Sequence, residues 1–85
     1  MKRLIIDVRE PDEYSSGHVE GAINIPPSKL MEGAPELEGV ENDTQLILYC
    51  RSGSRSQVSK HLLEQQGFTD VVNGINQTNV EQNIL

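Results

Sequence analysis

The sequence predicts an α/β sandwich with a small, mostly parallel sheet. Three short apolar runs predict buried strands, and a segment with helical spacing lies between the second and the third run. Strands that alternate with helices pair in parallel through right-handed crossovers. A chain of 85 residues has room for one small core, so we expect a single domain over residues 1–85.

The N-terminal part predicts a strand and a short helix. Leu4–Val8 is apolar and rich in β-branched residues, and a charged residue, Asp7, lies near its end. This pattern predicts a short buried strand. Pro11 suits the first turn of a helix, two acidic residues follow it, and Gly17 ends the helix.

The middle of the chain predicts less regular structure. Ala22–Ile25 predicts a short strand that stops at two prolines, and Ser28–Met31 predicts one helical turn. From Glu32 to Thr44 the chain is acidic and contains glycine and proline without periodicity, so we expect a solvated loop with one turn of helix near Pro35–Glu38.

The C-terminal half predicts a strand, a helix and a third main strand. Leu46–Tyr49 is the buried strand, and Ser54–Gln66 is the helix, followed by a glycine at Gly67. Phe68–Val72 is the expected third strand, and the polar tail after it has no assignment. In the helix we expect one apolar stripe, formed by Val58, Leu62 and Leu63.

Composition limits the partners and the compartment. A net charge of −6 argues against a nucleic acid partner, because phosphate binding needs a basic face. No apolar stretch reaches membrane-spanning length, so we expect no membrane partner. The apolar run near the N-terminus is broken by Asp7, which favours a cytoplasmic protein, or a periplasmic one if a leader has been removed. The single cysteine excludes an internal disulfide and a cysteine-rich zinc site.

The segment Cys50–Ser56 carries the clearest chemical signal. It holds the only cysteine and two of the four arginines, and it follows a predicted strand and precedes a predicted helix. Backbone N–H groups converge on such a turn, and a helix N-terminus lowers a thiol pKa and attracts anions. The pattern predicts a thiolate nucleophile that acts on a small anionic sulfur or phosphorus compound.

A structural interpretation of this cysteine competes with the chemical one. Lone cysteines are usually small core residues. Here, however, Gly53 allows a backbone conformation that other residues resist, and successive N–H groups in such a curl form an anion nest. Arg51 and Arg55 flank the thiol, although each arginine taken alone would be an ordinary surface residue.

Three segments together resemble the rhodanese-type sulfurtransferases. Cys50–Ser56 is similar to the active-site loop of that family, while Asp7–Tyr14 and Gly17–Pro26 are similar to its two upstream signatures. The resemblance runs from Leu4 to Val72 and is nearest to the small phage-shock-type members. It implies a three-layer α/β/α sandwich and a thiosulfate sulfurtransferase.

The resemblance also implies the reaction and the site. A thiolate takes the outer sulfur of a donor such as thiosulfate, forms a persulfide, and passes the sulfur to cyanide or a thiol, without metal or organic cofactor. Its partners are therefore a small anionic sulfur donor and a thiophilic acceptor. Cys50 is the expected catalytic residue, and the expected substrate-binding residues are Arg51, Ser52, Gly53, Ser54, Arg55 and Ser56. We also expect an exposed thiol, which would be open to oxidation.

Other residues in the matched segments favour structural roles. We expect Asp7 and Arg9 to form a buried or half-buried charge network, with substrate contact by Arg9 as the alternative. His18 is expected to stabilise a turn, with general-base catalysis as the alternative. His61 is expected on the helix surface.

Two departures from the family pattern stand out. The chain lacks the strand and helix that many rhodanese domains place before the Asp-Val-Arg strand, so a sheet edge is less covered and we expect a monomer or a weak homodimer. The family usually has a Gly-Gly and then a tryptophan, whereas this chain has Gly74 followed by Ile75 and no tryptophan. This difference affects the pocket wall and the choice of acceptor.

Two other functions compete with sulfur transfer. A non-catalytic rhodanese-fold binding module usually lacks the cysteine. A cysteine phosphatase separates its cysteine and arginine by five residues, whereas four residues separate Cys50 from Arg55 here. The smaller loop favours a single sulfur atom over a tetrahedral phosphoryl group.

Overall fold

A computed structural model describes residues 2–85 of the chain. The elements in chain order are β1 (Arg3–Asp7), α1 (Pro11–Ser15), β2 (Ile23–Asn24), α2 (Pro27–Met31), a 3₁₀ turn (Pro35–Leu37), β3 (Gln45–Cys50), α3 (Ser54–Gln65), β4 (Val71–Asn76), α4 (Gln77–Asn79) and a π-helical segment (Val80–Ile84). Strands and helices alternate, as expected for a parallel α/β fold.

The four strands form one sheet in the order β2-β1-β3-β4, and all three pairings are parallel. Parallel pairing brings the carboxyl ends of all strands to the same edge of the sheet. That edge therefore collects the residues that end the strands, which are Asp7, Asn24, Cys50 and Asn76. The predicted α/β class with a small parallel sheet is confirmed.

Strand β3 is buried on both faces, as is usual for a central parallel strand. Leu46, Leu48 and Cys50 face a core that includes Leu30 of α2 and Leu63 of α3. The alternate residues of β3 face a second, smaller core on the opposite side of the sheet, whose buried members are Val19, Ala22, Ile47, Tyr49 and Val80. The sheet thus lies between two layers, which confirms the predicted sandwich.

The C-terminal tail, which the sequence left unassigned, packs against the second face. Val80 of the π-helical segment is fully buried there. Gly74 makes this packing possible, because a Cβ at that position would lie 2.6 Å from Val80 Cγ2 and 2.9 Å from the Leu48 carbonyl oxygen. The single glycine of this segment is therefore required by close packing.

Two local predictions were wrong. Phe68 precedes the fourth strand, because its N–H bonds to the Leu63 carbonyl at the end of α3 and only the residues from Val71 onward pair with β3. The predicted apolar stripe of α3 is also displaced, since Val58 is 57% exposed. The buried residues of that helix are Ser56, Ser59 and Leu63.

Within residues 2–85, no helix is long and apolar enough to cross a membrane. The predicted cytoplasmic location, with the periplasm as alternative, stays a prediction.

Candidate active site

The loop between β3 and α3 curls around the sulfur of Cys50. Gly53 adopts a φ of 93°, in the left-handed region that favours glycine, immediately before the first residue of α3. This conformation turns the Gly53 N–H toward the cysteine, with an N-to-Sγ distance of 3.1 Å. The Ser56 hydroxyl lies 3.4 Å from the same sulfur. Of the loop residues that the sequence predicted, Gly53 and Ser56 therefore contact the sulfur directly.

Hydrogen bonding in this loop favours the ionised thiol. Burial is the largest single influence on the Cys50 pKa and raises it. The Ser56 hydroxyl and the backbone amides of Ser56, Ser52 and Gly53 oppose burial, and together they lower the pKa from 9.0 to about 7. A large share of the sulfur is therefore thiolate near neutral pH.

Cys50 is almost fully buried, at 1% exposure, so the expectation of an exposed thiol was wrong. The residue lines an open pocket of about 280 Å³, together with Arg9, Arg51, Asn76, Gln77 and Thr78. This pocket is the open space next to the cysteine, and its size suits a small polar molecule.

The three arginines near the loop have different surroundings. Arg51 is exposed and lines the pocket. Arg55 forms a two-pronged ion pair with Glu13 of α1, with N-to-O distances of 2.7 and 3.1 Å. Arg9 also lines the pocket. From the sequence, we expected a structural role for Arg9 and gave substrate contact only as the alternative.

Arg9 is held by the buried carboxylate of Asp7. The guanidinium donates to both Asp7 oxygens at 2.7 to 3.1 Å and to the Gly17 carbonyl at 2.7 Å. The Tyr49 hydroxyl donates to Asp7 at 3.0 Å and accepts from the Val19 N–H at 3.0 Å. The predicted Asp7–Arg9 charge network is confirmed, and it presents one cation to the pocket.

A β-bulge in β4 lies beside Cys50 and forms another part of the site. Leu48 pairs with Asn73 and Cys50 pairs with Asn76, so β4 has one extra residue beside the cysteine. Within the bulge, Ile75 adopts a φ of 73°, which is rare and strained for a β-branched residue. The Asn73 side chain accepts a hydrogen bond from the Ile75 N–H at 3.0 Å and so supports this conformation.

The two histidines lie in structural positions. His18 is exposed, stacks on the Tyr14 ring with 3.7 Å between ring centroids, and its Nδ1 lies 2.8 Å from the Tyr14 carbonyl oxygen. The predicted turn-stabilising role fits these contacts. His61 is exposed on α3, as predicted.

Residues 2–85 include no group of three or more His, Cys, Asp or Glu side chains suited to a metal ion.

Comparison with known proteins identifies the family. The profile of the rhodanese-like domain matches residues 1–75. The chain is 41% identical over 68 residues to the thiosulfate sulfurtransferase PspE of Escherichia coli, a match that covers 80% of this chain and 64% of PspE. This chain belongs to the rhodanese-like domain family.

Other relatives agree with this assignment. The putative sulfur carrier protein YrkF of Bacillus subtilis is 39% identical, over 81% of this chain and 36% of YrkF. The structure of an E. coli rhodanese with anions superposes with a TM-score of 0.80 at 33% identity, covering 91% of this chain and 89% of that one. The human single-domain sulfurtransferase TSTD1 shares the fold, with a TM-score of 0.77 at 23% identity. The chain spans less than two thirds of the length of PspE and of YrkF.

Sequence reasoning missed part of the candidate site. The pocket wall formed by Asn76, Gln77 and Thr78 lies beyond the residues that the family profile covers. Asn73 was also missed, although its side chain contacts the loop directly. A correct end for β4 would have revealed both groups, because the end of that strand must lie beside Cys50 in a parallel sheet.

Proposed function

We propose that this rhodanese-like domain is a sulfurtransferase that moves a sulfane sulfur from thiosulfate, or a similar small anionic donor, to a thiophilic acceptor. The observation that carries the proposal is the loop itself: a thiol with a pKa of about 7 accepts from several hydrogen-bond donors of the loop, and its residue lines a pocket together with two arginines. Its nucleophile is Cys50.

The reaction has two displacement steps. The Cys50 thiolate attacks the outer sulfur of thiosulfate, a new S–S bond forms, and the S–S bond of thiosulfate breaks with release of sulfite and its electron pair. The acceptor, for example cyanide, then attacks the outer sulfur of the persulfide. Thiocyanate leaves and the thiolate is regenerated, so no external oxidant or reductant is needed.

The geometry supports both steps. The Gly53 N–H already points at the sulfur, and further loop amides lower its pKa, so the same donors would stabilise a persulfide anion. Arg9 and Arg51 line the entrance and would attract the sulfonate end of the donor. The predicted contribution of Arg55 to donor binding requires its guanidinium to act while it is paired with Glu13.

The relatives support the same class of reaction. PspE is named a thiosulfate sulfurtransferase, and YrkF is named a putative sulfur carrier protein. For this chain, the two names raise the question of whether the acceptor of the sulfur is a small molecule or another protein. The open polar pocket above Cys50 favours a small acceptor.

Intact mass spectrometry tests the proposal. The wild type and the Cys50→Ser variant are measured before thiosulfate, after thiosulfate, and after subsequent cyanide. We expect the wild type alone to gain the mass of one sulfur atom and to lose it to cyanide with release of thiocyanate. Absence of the sulfur adduct on reduced, folded wild type would contradict the proposal and favour the binding-module alternative.

A phosphatase assay separates the remaining alternative. Because only four residues separate Cys50 from Arg55, we expect no hydrolysis of an aryl phosphate. Hydrolysis that the Cys50→Ser substitution abolishes would show that the loop accepts a phosphoryl group.

A further inference from the structure

Asn73 is fully engaged with the active-site loop. Its Oδ1 accepts from the Ser56 hydroxyl at 2.6 Å and from the Ile75 N–H at 3.0 Å. Its Nδ2 donates to the Gly53 carbonyl at 3.1 Å and to Gln57 Oε1 at 3.1 Å. These contacts use both acceptor sites and both donors of the amide, and the backbone partners fix which end is oxygen.

The Ser56 hydroxyl has one proton and three neighbours that can accept it. They are Asn73 Oδ1 at 2.6 Å, the Gly53 carbonyl at 3.2 Å and Cys50 Sγ at 3.4 Å. The shortest contact is to Asn73. While the proton points there, the oxygen can only accept from Cys50, which suits the neutral thiol; a thiolate has no proton to donate and needs the hydroxyl to turn toward it.

We propose that Asn73 is a positioning residue that sets the fraction of Cys50 present as thiolate, because its amide oxygen competes with the sulfur for the single proton of Ser56. Ionisation of the cysteine then requires the Ser56 hydroxyl to leave Asn73. The inference builds on the proposed role of Cys50 as nucleophile, but it concerns the titration of the thiol itself and does not depend on any sulfur donor.

The charged groups around the thiol do not change in this exchange. Arg51 from the loop, Arg9 from the end of β1 and Arg55 from α3 are the cations near the sulfur. The last two are paired with Asp7 and Glu13, respectively. The pocket residues at and just after the end of β4, which are Asn76, Gln77 and Thr78, carry no charge. The charges around the sulfur therefore stay the same whether the Ser56 proton points to Asn73 or to Cys50.

A double-mutant cycle on the full chain tests the proposal. Thiolate absorbance at 240 nm is titrated against pH, with the Cys50→Ser protein as the baseline for tyrosine. We expect Asn73→Ala to lower the thiolate midpoint by about one pH unit, the size of one hydrogen bond to a charged group. In the Ser56→Ala background, the same substitution should leave the midpoint unchanged. Gln57→Ala, which removes a different partner of Asn73, is the matched control and should cause no shift.

Asn73→Asp provides a second test if the alanine variant does not fold. Its carboxylate holds the Ser56 proton more strongly, so the thiolate midpoint should rise further in the Ser56 protein than in the Ser56→Ala protein, where only the added charge acts. Equal shifts in the two backgrounds, or no shift with either substitution, would overturn the proposal. If the predicted shifts appear but the wild type takes up no sulfur from thiosulfate, the result would instead count against the proposed function alone.

Discussion

Two buried polar networks lie side by side at the carboxyl edge of the sheet. They differ in whether a donated proton has one acceptor or several to choose from. In the network of Asp7, Arg9 and Tyr49, the Tyr49 hydroxyl and the Arg9 Nε both donate to the buried Asp7 carboxylate, which is matched by the Arg9 cation. In the network of Cys50, Ser56 and Asn73, one hydroxyl proton has several possible acceptors.

This difference suggests that the first network stabilises the fold and that the second controls the ionisation of Cys50. A buried charge pair with every partner satisfied is rigid, and loss of one partner is costly. A network whose proton can move between acceptors lets a neighbouring sulfur change its charge without a change in the fold. The first network should therefore respond to substitution mainly in stability, and the second mainly in the pKa of Cys50.

Asp7→Ala should have the largest effect on stability. The substitution removes the carboxylate that pairs with the partly buried Arg9 cation and accepts from the Tyr49 hydroxyl. We expect a loss of about 3–5 kcal/mol from the free energy of unfolding, which for a small domain approaches complete unfolding. Urea denaturation measures this loss, and Asp12→Ala, at an exposed position on α1, is the control. A loss no greater than that of the control would mean that the network does not stabilise the fold.

Tyr49→Phe should weaken the same network less. It leaves the buried Val19 N–H without a partner and removes one of the hydrogen bonds to the Asp7 carboxylate, which keeps those from Arg9; we expect a cost of about 1–3 kcal/mol. Burial raises the Tyr49 pKa from 10.0 to about 12, so its contribution is complete below pH 10 and is lost as the pH rises toward 12. The stability difference between wild type and variant should therefore narrow between pH 10 and 12. A constant difference across this range would contradict the assignment.

Ser56→Ala should separate the two networks. The hydroxyl is a hydrogen-bond partner of the thiolate, so its loss should raise the Cys50 pKa from about 7 toward 9.0. The cost in stability should be about 1 kcal/mol, well below that of Asp7→Ala. Alkylation rates measured against pH report the thiol, and urea denaturation reports the fold. A large loss of stability without a change in the alkylation profile would reverse the roles of the two networks.

The sequence predicted the fold and the loop, because both depend on local patterns. The apolar run of β3 and the glycine before α3 are enough to place a thiol at a strand end, and parallel pairing follows from the order of the elements. The Asp7–Arg9 pair was also predictable, since two residues of opposite charge lie two positions apart at the end of a buried strand.

The parts that the sequence did not predict depend on long-range contacts. Strand β4 extends to Asn76 because β3 provides partners for it, although its asparagines and Gly74 have low strand propensity. Ser56 and Ser59 are buried because their hydroxyls bond within the loop and the helix, so apolar periodicity could not identify the buried face of α3. The pairing of Arg55 with Glu13 joins residues 42 positions apart.

Substitutions in the Arg55–Glu13 pair should have the smallest effects on stability and on the Cys50 titration. They also test whether the network of Cys50, Ser56 and Asn73 is independent of the nearby charges. The hydrogen bond from Arg55 lowers the Glu13 pKa from 4.5 to about 2, so the stabilisation is present above pH 4.5 and is lost as the pH falls toward 2. Glu13→Gln should therefore flatten the acid limb of the stability curve. Glu20→Gln, at an exposed acidic residue after α1, is the control.

The same substitution releases the Arg55 guanidinium beside the loop. If the predicted role of Arg55 in donor binding holds, the KM for thiosulfate should fall by no more than about fivefold, since partly exposed ion pairs are weak. The thiolate midpoint of Cys50 should change less than it does with Ser56→Ala, because the hydrogen bonds to the sulfur stay in place. A larger shift with Glu13→Gln would mean that charge around the loop, and not the shared proton of Ser56, controls the ionisation of Cys50.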